Sequence, residues 1–189
     1  TLRARIKSFH KGYFVDYPKS LKESSEVENR IKLLSTNHII RLTEYVNKIR
    51  SDKGPNYYIP YFDPLDGGVN AKYLFLVVAP GRNAVKSGFI SRNNPDETAK
   101  NMFEIIHDLG IPRNDTILWN IVPWYIGNGQ TIRPAENEDI FQGWNYLKEL
   151  ISIIINIQTI ILVGRKAQKV KNRLLEEYKS CLLYTSRRG

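Results

Sequence analysis

From Tyr73 to Ala79 the chain reads YLFLVVA, an apolar run with no polar interruption, and it stops abruptly at Pro80-Gly81. A strand with one wet face alternates apolar and polar residues. A short run that does not alternate belongs to a strand buried on both faces, as in parallel sheets covered by helices. Proline fixes one backbone angle and removes a donor, and glycine tolerates angles closed to other residues, so such a turn lets the main chain approach a ligand closely. In open parallel sheets ligands bind at the carboxyl ends of the strands. Pro80-Gly81 is therefore the expected floor of an active site, although the same residues also suit an ordinary strand-to-loop turn.

Strand and helix alternate after this run. Asn94-Pro95-Asp96-Glu97 supplies an N-cap, a proline at the first helical position and an acid at the third. Ala99, Met102, Phe103 and Ile106 then form a buried face before Gly110-Ile111-Pro112 ends the helix. Thr116 to Val122 (TILWNIV) reads as a second strand stopped by Pro123, and YIGNGQTIRP as a loop. Glu136 to Ile155 is a long helix, Thr159 to Val163 a third strand meeting Gly164, and Arg165 to Tyr178 a last helix. Strands joined by helices imply a mostly parallel sheet with right-handed crossovers, hence a three-layer α/β/α sandwich.

Upstream, residues 1–55 read as a helical arm packed on the main body. Ile39, Leu42, Val46 and Ile49 recur at helical spacing before Gly54-Pro55, and the arm's Lys and Arg are expected to face water. Residues 56–70 read as a loop leading into an α/β domain over 56–179. The tail, 180–189, does not continue the last helix's stripe. It is expected to have no structural role and reads either as a frayed end or, the favoured reading, as unrelated residues appended to a truncated gene.

Lys and Arg number 28 against 19 acids, a formal net charge of +9 in 189 residues, which favours a polyanionic partner through the sequence-independent phosphate attraction. A single cysteine, Cys181, excludes an internal disulfide and any multi-cysteine zinc or iron–sulfur site. No apolar run is long enough to span a bilayer, and the first residues lack the apolar segment of a signal peptide, so a cytoplasmic monomer with no membrane partner is expected.

Three strand ends are expected to converge on one edge: Ala79-Pro80-Gly81, Asn120 and Gly164. Asn120 stands out because an amide within LWNIVPW is buried, at a cost of about 1–3 kcal/mol unless something pairs with it. An amide accepts and donates at once, which is what reading a base edge demands, though it equally suits a bond to its own loop. Phe89, after Gly88, is placed either on an open loop where it stacks on a planar ligand or in the core beneath it. Arg82, Lys86, Arg92, Arg165 and Lys166 fall near the same edge, as phosphate ligands or as solvated charge.

In this order and spacing, VVAPGRNAVKSGF, LWNIVPW and LVGRKAQ resemble the uracil-DNA glycosylase superfamily over roughly Asp63 to Lys169. The resemblance implies that Ala79, Pro80 and Gly81 form the catalytic, water and sugar side of the site. It makes Val78, Phe89 and Asn120 the base-binding residues, Phe89 stacking on a flipped uracil and Asn120 reading its edge. Arg82, Lys86, Arg92, Gly164, Arg165 and Lys166 line the DNA side. The cysteines that bind an iron–sulfur cluster in some relatives are absent, so no metal or cofactor is expected, and the partner implied is DNA containing uracil or other damage.

Two departures bear on activity. Many relatives place an acid in the first motif, where this chain has Val78 and Ala79. Asp63 and Asp66 precede the strand, and an extended run at ~3.3 Å per residue sets them roughly 20 Å from the mouth. The family's terminal His-Pro-Ser motif and DNA wedge have no counterpart, and His10, His38 and His107 match no motif. The implied function is excision of uracil in base-excision repair, weak or absent without those groups. The alternative is a non-catalytic nucleotide or nucleic-acid binding module on the same fold.

Overall fold

The computed structural model describes residues 16–178 and the backbone of residues 182–186. The arm's first residues, His10 and Cys181 lie outside the described residues. In chain order the elements are α1 (Ser24–Lys32), α2 (Ile40–Lys53), β1 (Tyr61–Phe62), β2 (Tyr73–Val77), α3 (Arg82–Ser87) and β3 (Phe89–Ile90). They continue as α4 (Glu97–Asp108), β4 (Thr116–Asn120), α5 (Asn137–Ile153), β5 (Thr159–Val163), α6 (Lys171–Glu177) and β6 (Leu182–Ser186).

Four strands form one sheet in the order β4-β2-β5-β6, every pair parallel. The apolar run at Tyr73 forms the strand between β4 and β5, which explains its lack of alternation: Leu74, Phe75 and Leu76 are all buried. The step from β2 to β4 runs in one direction across the sheet and those from β4 to β5 and β5 to β6 in the other. Right-handed crossovers therefore put α4 on one face and α5 and α6 on the opposite one. The packing agrees, since Arg173 of α6 lies over the Trp144 ring of α5 at 5.9 Å. On that same face the Tyr45 hydroxyl of α2 donates to the Tyr146 carbonyl of α5 at 2.7 Å. The result is the three-layer α/β arrangement read from the sequence.

Ile39, Leu42, Val46 and Ile49 are buried in the same core as the strand residues. Not every cation of the arm faces water, however: Arg30 is fully buried and bonds Asp63 at 3.2 Å. The stretch read as a loop over 56–70 holds β1 and a 3-10 turn at Gly68–Asn70. β1 pairs in parallel with β3 through Tyr61↔Phe89 and Phe62↔Ile90. The last helix is shorter than its pattern, a 3-10 turn at Ala167–Val170 preceding α6. The tail is not without structure, because residues 182–186 continue the sheet beside β5 as β6.

Two local signals shift by a residue or two. The cap of α4 is Asp96, whose carboxylate accepts from the Ala99 amide at 2.9 Å, and not Asn94. Asn94 is instead buried, accepting from Ser87 and donating to the Phe89 carbonyl at 2.9 Å. α5 begins one residue after Glu136, which closes a capping box with Asp139.

Candidate active site

The parallel pairing of β2 with β4 sets Val77 opposite Asn120 at the carboxyl end of the sheet. Side chains alternate along a strand, so Leu118 and Asn120 face α4 while Trp119 faces α2 and stacks on Phe62 with ring centroids 4.0 Å apart. The face toward α4 holds a cavity of about 370 Å³. Its floor is Val77, Ala79, Pro80 and Gly81 from the end of β2, with Leu118 and Asn120 from β4. Ile90, Ser91 and Asn94 wall one side, and Asp96, Ala99 and Met102 at the start of α4 wall another. Ile132 closes the rim from the loop after β4.

Asn120 is 3% exposed, and its Oδ1 has no hydrogen-bond partner among the described residues. A buried acceptor left unpaired in the free protein carries a desolvation cost that a ligand's N–H removes. The loop bond that would have made this amide purely structural does not reach Oδ1.

Gly81 has an ordinary extended backbone, φ −82° and ψ 170°, so conformational freedom is not why glycine stands there. A Cβ at this position would meet no protein atom within 4 Å. The missing side chain leaves open space at the cavity's mouth.

Of the two carboxylates upstream of β2, Asp63 reaches the cavity wall, whereas Asp66 stays by the amino end of β4, where the neighbouring Gly67 amide donates to the Thr116 carbonyl at 2.9 Å. The chain turns at Gly68–Asn70, and β1 lies beside β3, whose Ile90 lines the cavity. Asp63 accepts from the hydroxyl of Ser91, a cavity residue, and from Arg113 at 2.9 Å. Asp66 accepts from Arg113 at 2.9 Å and from Arg92 at 3.3 Å. Burial pushes the Asp63 carboxyl up, but Arg113 and Arg30 beside it outweigh burial and hold it below the ordinary value. For Asp66 burial prevails over Arg92 and Arg113, and its carboxyl rises to about 6. Neither acid itself lines the cavity. Asp96 does, with one carboxylate oxygen engaged by the Ala99 amide. A pocket acid is thus present, supplied by a helix cap downstream of the first motif.

Several expected site residues lie elsewhere. Phe89 is 0% exposed and belongs to β3, so it presents no ring face to a ligand; its neighbour Ile90 lines the cavity instead. Arg92 is buried, bonding Asp66 and Thr116, and reaches no phosphate. Val78 sits against the core beside the floor, its carbonyl accepting from the Val122 amide at 2.8 Å. Arg82 lines the cavity and donates to the Gln130 carbonyl, tying α3 to the rim loop. Lys86 is exposed beside a separate groove between α1 and α3. Gly164, in the left-handed region at φ +85°, and the exposed Arg165 and Lys166 follow β5 at the sheet's same edge without lining the cavity. Among the described histidines, His38 bonds the Pro64 carbonyl at 2.9 Å and His107 is exposed, so neither is poised over the site.

Ser91, Asp96 and Ile132 are among the cavity residues that sequence reading did not find. Asp96 carries a sequence signal only as part of a helix start whose cap reads as Asn94, and Ser91 and Ile132 sit in segments without periodicity.

A family model described as Uracil DNA glycosylase superfamily matches residues 64–186, which contain every residue of this cavity. No curated protein matches the chain.

Proposed function

Since the chain belongs to the uracil-DNA glycosylase superfamily, we propose that the cavity at the ends of β2 and β4 receives a uracil turned out of DNA and that the protein hydrolyses the bond joining it to its sugar. The observation that carries this reading is the buried, unpaired Oδ1 of Asn120. Uracil presents an N–H flanked by two carbonyl oxygens. The Asn120 amide accepts from the N–H and donates to a carbonyl, so the burial that is unfavourable in the free protein becomes selective in the complex.

Extrusion leaves the base in a confined, largely apolar space where hydrogen bonds act at low dielectric. As the glycosidic bond lengthens, charge accumulates on the base beside Asn120 and positive charge on the sugar at the mouth, where Gly81 leaves room. Asp96 stands in the same wall and serves two roles: one oxygen caps α4, and the carboxylate positions the attacking water and favours the sugar cation. The exposed Lys86, Arg165 and Lys166 attract the phosphates.

One observation favours the alternative, a module that binds without cutting: Asp96 is half-buried and already bonded as a cap. An oligonucleotide carrying one uracil separates the two readings. The glycosylase yields free uracil and an alkali-labile strand, at a rate that falls as salt rises. Binding with uracil preference and no release of base identifies the module. Equal affinity for uracil-containing and undamaged DNA, with no release, contradicts the glycosylase reading and the base-reading role of Asn120.

A further inference from the structure

The rim loop after β4 has a second cavity on its other side. Gly127 and Ile132 bridge as a small antiparallel hairpin whose turn is held by Asn128, its Oδ1 accepting from the Gln130 and Thr131 amides at 3.1 and 2.8 Å. Consecutive residues point opposite ways: Ile132 lines the base cavity, while Thr131 and Arg133 line a second cavity of about 450 Å³. One hairpin separates the two.

The walls of this second cavity define what it can hold. Trp124 lies at its base, meeting Tyr57 edge to face with centroids 5.8 Å apart, and Tyr57 is 40% exposed. The Lys53 ammonium stands over both rings, 3.8 Å from Trp124 and 4.9 Å from Tyr57. Tyr58, next in the chain, is 63% exposed. Tyr125 lines the cavity, and its buried hydroxyl has no partner among the described residues. Asp139 is taken by a two-pronged bond from Arg133, at 2.6 and 2.9 Å, so the site's one acid is neutralised. The Lys53 ammonium also donates to Gln142 Oε1 at 2.5 Å, and an accessible ring with amide edges and a cation behind it suits a flat polar heterocycle with a negative charge attached, a nucleotide.

We propose that this cavity holds the nucleotide next to the uracil, unstacked against Tyr57, so that the strand crosses the hairpin with neighbouring bases on opposite sides. The inference rests on the reading that the first cavity takes uracil from DNA, and it adds a substrate class. A base held against Tyr57 cannot remain in a duplex stack, so the favoured substrate is single-stranded. Lys53 and Tyr57 lie on a segment that contributes nothing to the base cavity, which makes the two sites separable by experiment.

The test measures affinity for a fluorescent single-stranded oligonucleotide carrying one 2′-fluoro-deoxyuridine, which resists excision. It is compared with versions in which the 5′ or the 3′ neighbour is an abasic tetrahydrofuran residue, and with a thymine control. Removing the base of one neighbour is expected to weaken binding by about tenfold or more, with little effect from the other. Tyr57→Ala loses the same factor on the intact strand and is indifferent to the abasic neighbour, while Tyr57→Phe, which keeps the ring, behaves as the unmodified protein. If uracil is preferred over thymine yet neither neighbour matters, this inference is overturned and the base-cavity reading stands. If uracil is not preferred, both fall. Should Tyr57→Ala not fold, the abasic comparison on the unmodified protein decides alone.

Discussion

The hydroxyl of Ser91, in the wall of the base cavity, donates to the carboxylate of Asp63, and Asp63 is gripped from behind by Arg30 and Arg113. The cavity wall is therefore braced by a buried network of guanidinium and carboxylate groups, with Arg113 at its centre, bonding Asp16, Asp63, Asp66 and Asn93.

Removing Arg113 leaves Asp63 with Arg30 alone and Asp66 with Arg92 alone, buried charges short of a partner, at a cost of about 3 kcal/mol or more. Arg113→Ala is expected to lose stability on that scale. Ser91→Ala, which removes one donor to the carboxylate and the acceptor of the Asn93 amide, should lose about 1.5–3 kcal/mol. Urea midpoints at neutral pH check both, and similar small losses for the two variants would mean that the network does not brace the fold.

The same network predicts a pH dependence. Burial lifts the Asp66 carboxyl to about 6 from an ordinary value of 3.8, so between those values the folded protein holds a proton that the unfolded chain has released. Stability from Asp66 therefore falls as pH rises from about 4 through about 6, by at most about 3 kcal/mol. Asp63, whose carboxyl is held low, works in the opposite sense: its contribution is lost only as pH falls below the ordinary carboxylate value, outside this window. Urea unfolding of the unmodified protein and Asp66→Asn from pH 4.5 to 7 should show the difference between them closing or reversing toward acid. Parallel curves would contradict the assignment.

Two glycines separate ligand space from fold. A Cβ at Gly81 meets nothing in the protein, whereas a Cβ at Gly143, on α5, runs into the Ile121 carbonyl oxygen where the chain leaves β4. Gly81→Ala should keep its melting temperature and lose affinity for uracil-containing DNA. Gly143→Ala should lose about 2 kcal/mol or more of stability. Thermal melts beside binding curves check the pair, and unchanged affinity in Gly81→Ala would place the sugar elsewhere.

Asp96 is argued to act both as a cap and on water. Asparagine caps a helix about as well as aspartate, so Asp96→Asn should change stability by only a few tenths of a kcal/mol while lowering the excision rate by about a hundredfold or more. Asp96→Ala should lose about 1 kcal/mol of stability as well. Full excision by Asp96→Asn at saturating substrate would remove this residue from the reaction.

The parts of this molecule legible in sequence were those whose signals are local. The apolar run at Tyr73 and the runs at Thr116 and Thr159 became the three strands expected, because a strand covered on both faces has no polar residue to hide. Asn120 was legible as the polar exception within such a run. The network was not, since Arg30 meets Asp63 33 residues away and Arg113 meets it 50 residues away, beyond any periodicity. Phe89 stands open in the sequence between a loop site and the core, and only the family resemblance makes it base-binding. Its burial comes from pairing with Tyr61 in a strand of two residues, too short to leave a pattern. Asp96 was read only as part of a helix start, since what makes it a cavity wall is the position of α4 over β4.

The most direct test of the account is the discrimination between uracil-containing and undamaged oligonucleotides by Asn120→Ala. If the buried amide reads the base, the variant should lose about 1–3 kcal/mol of uracil-specific binding, or the equivalent in excision rate, with its melting temperature and its affinity for undamaged DNA nearly unchanged. Asn120→Asp should be worse for uracil, because a carboxylate cannot donate to a carbonyl oxygen. Uracil preference that survives Asn120→Ala in a well-folded protein would contradict the account.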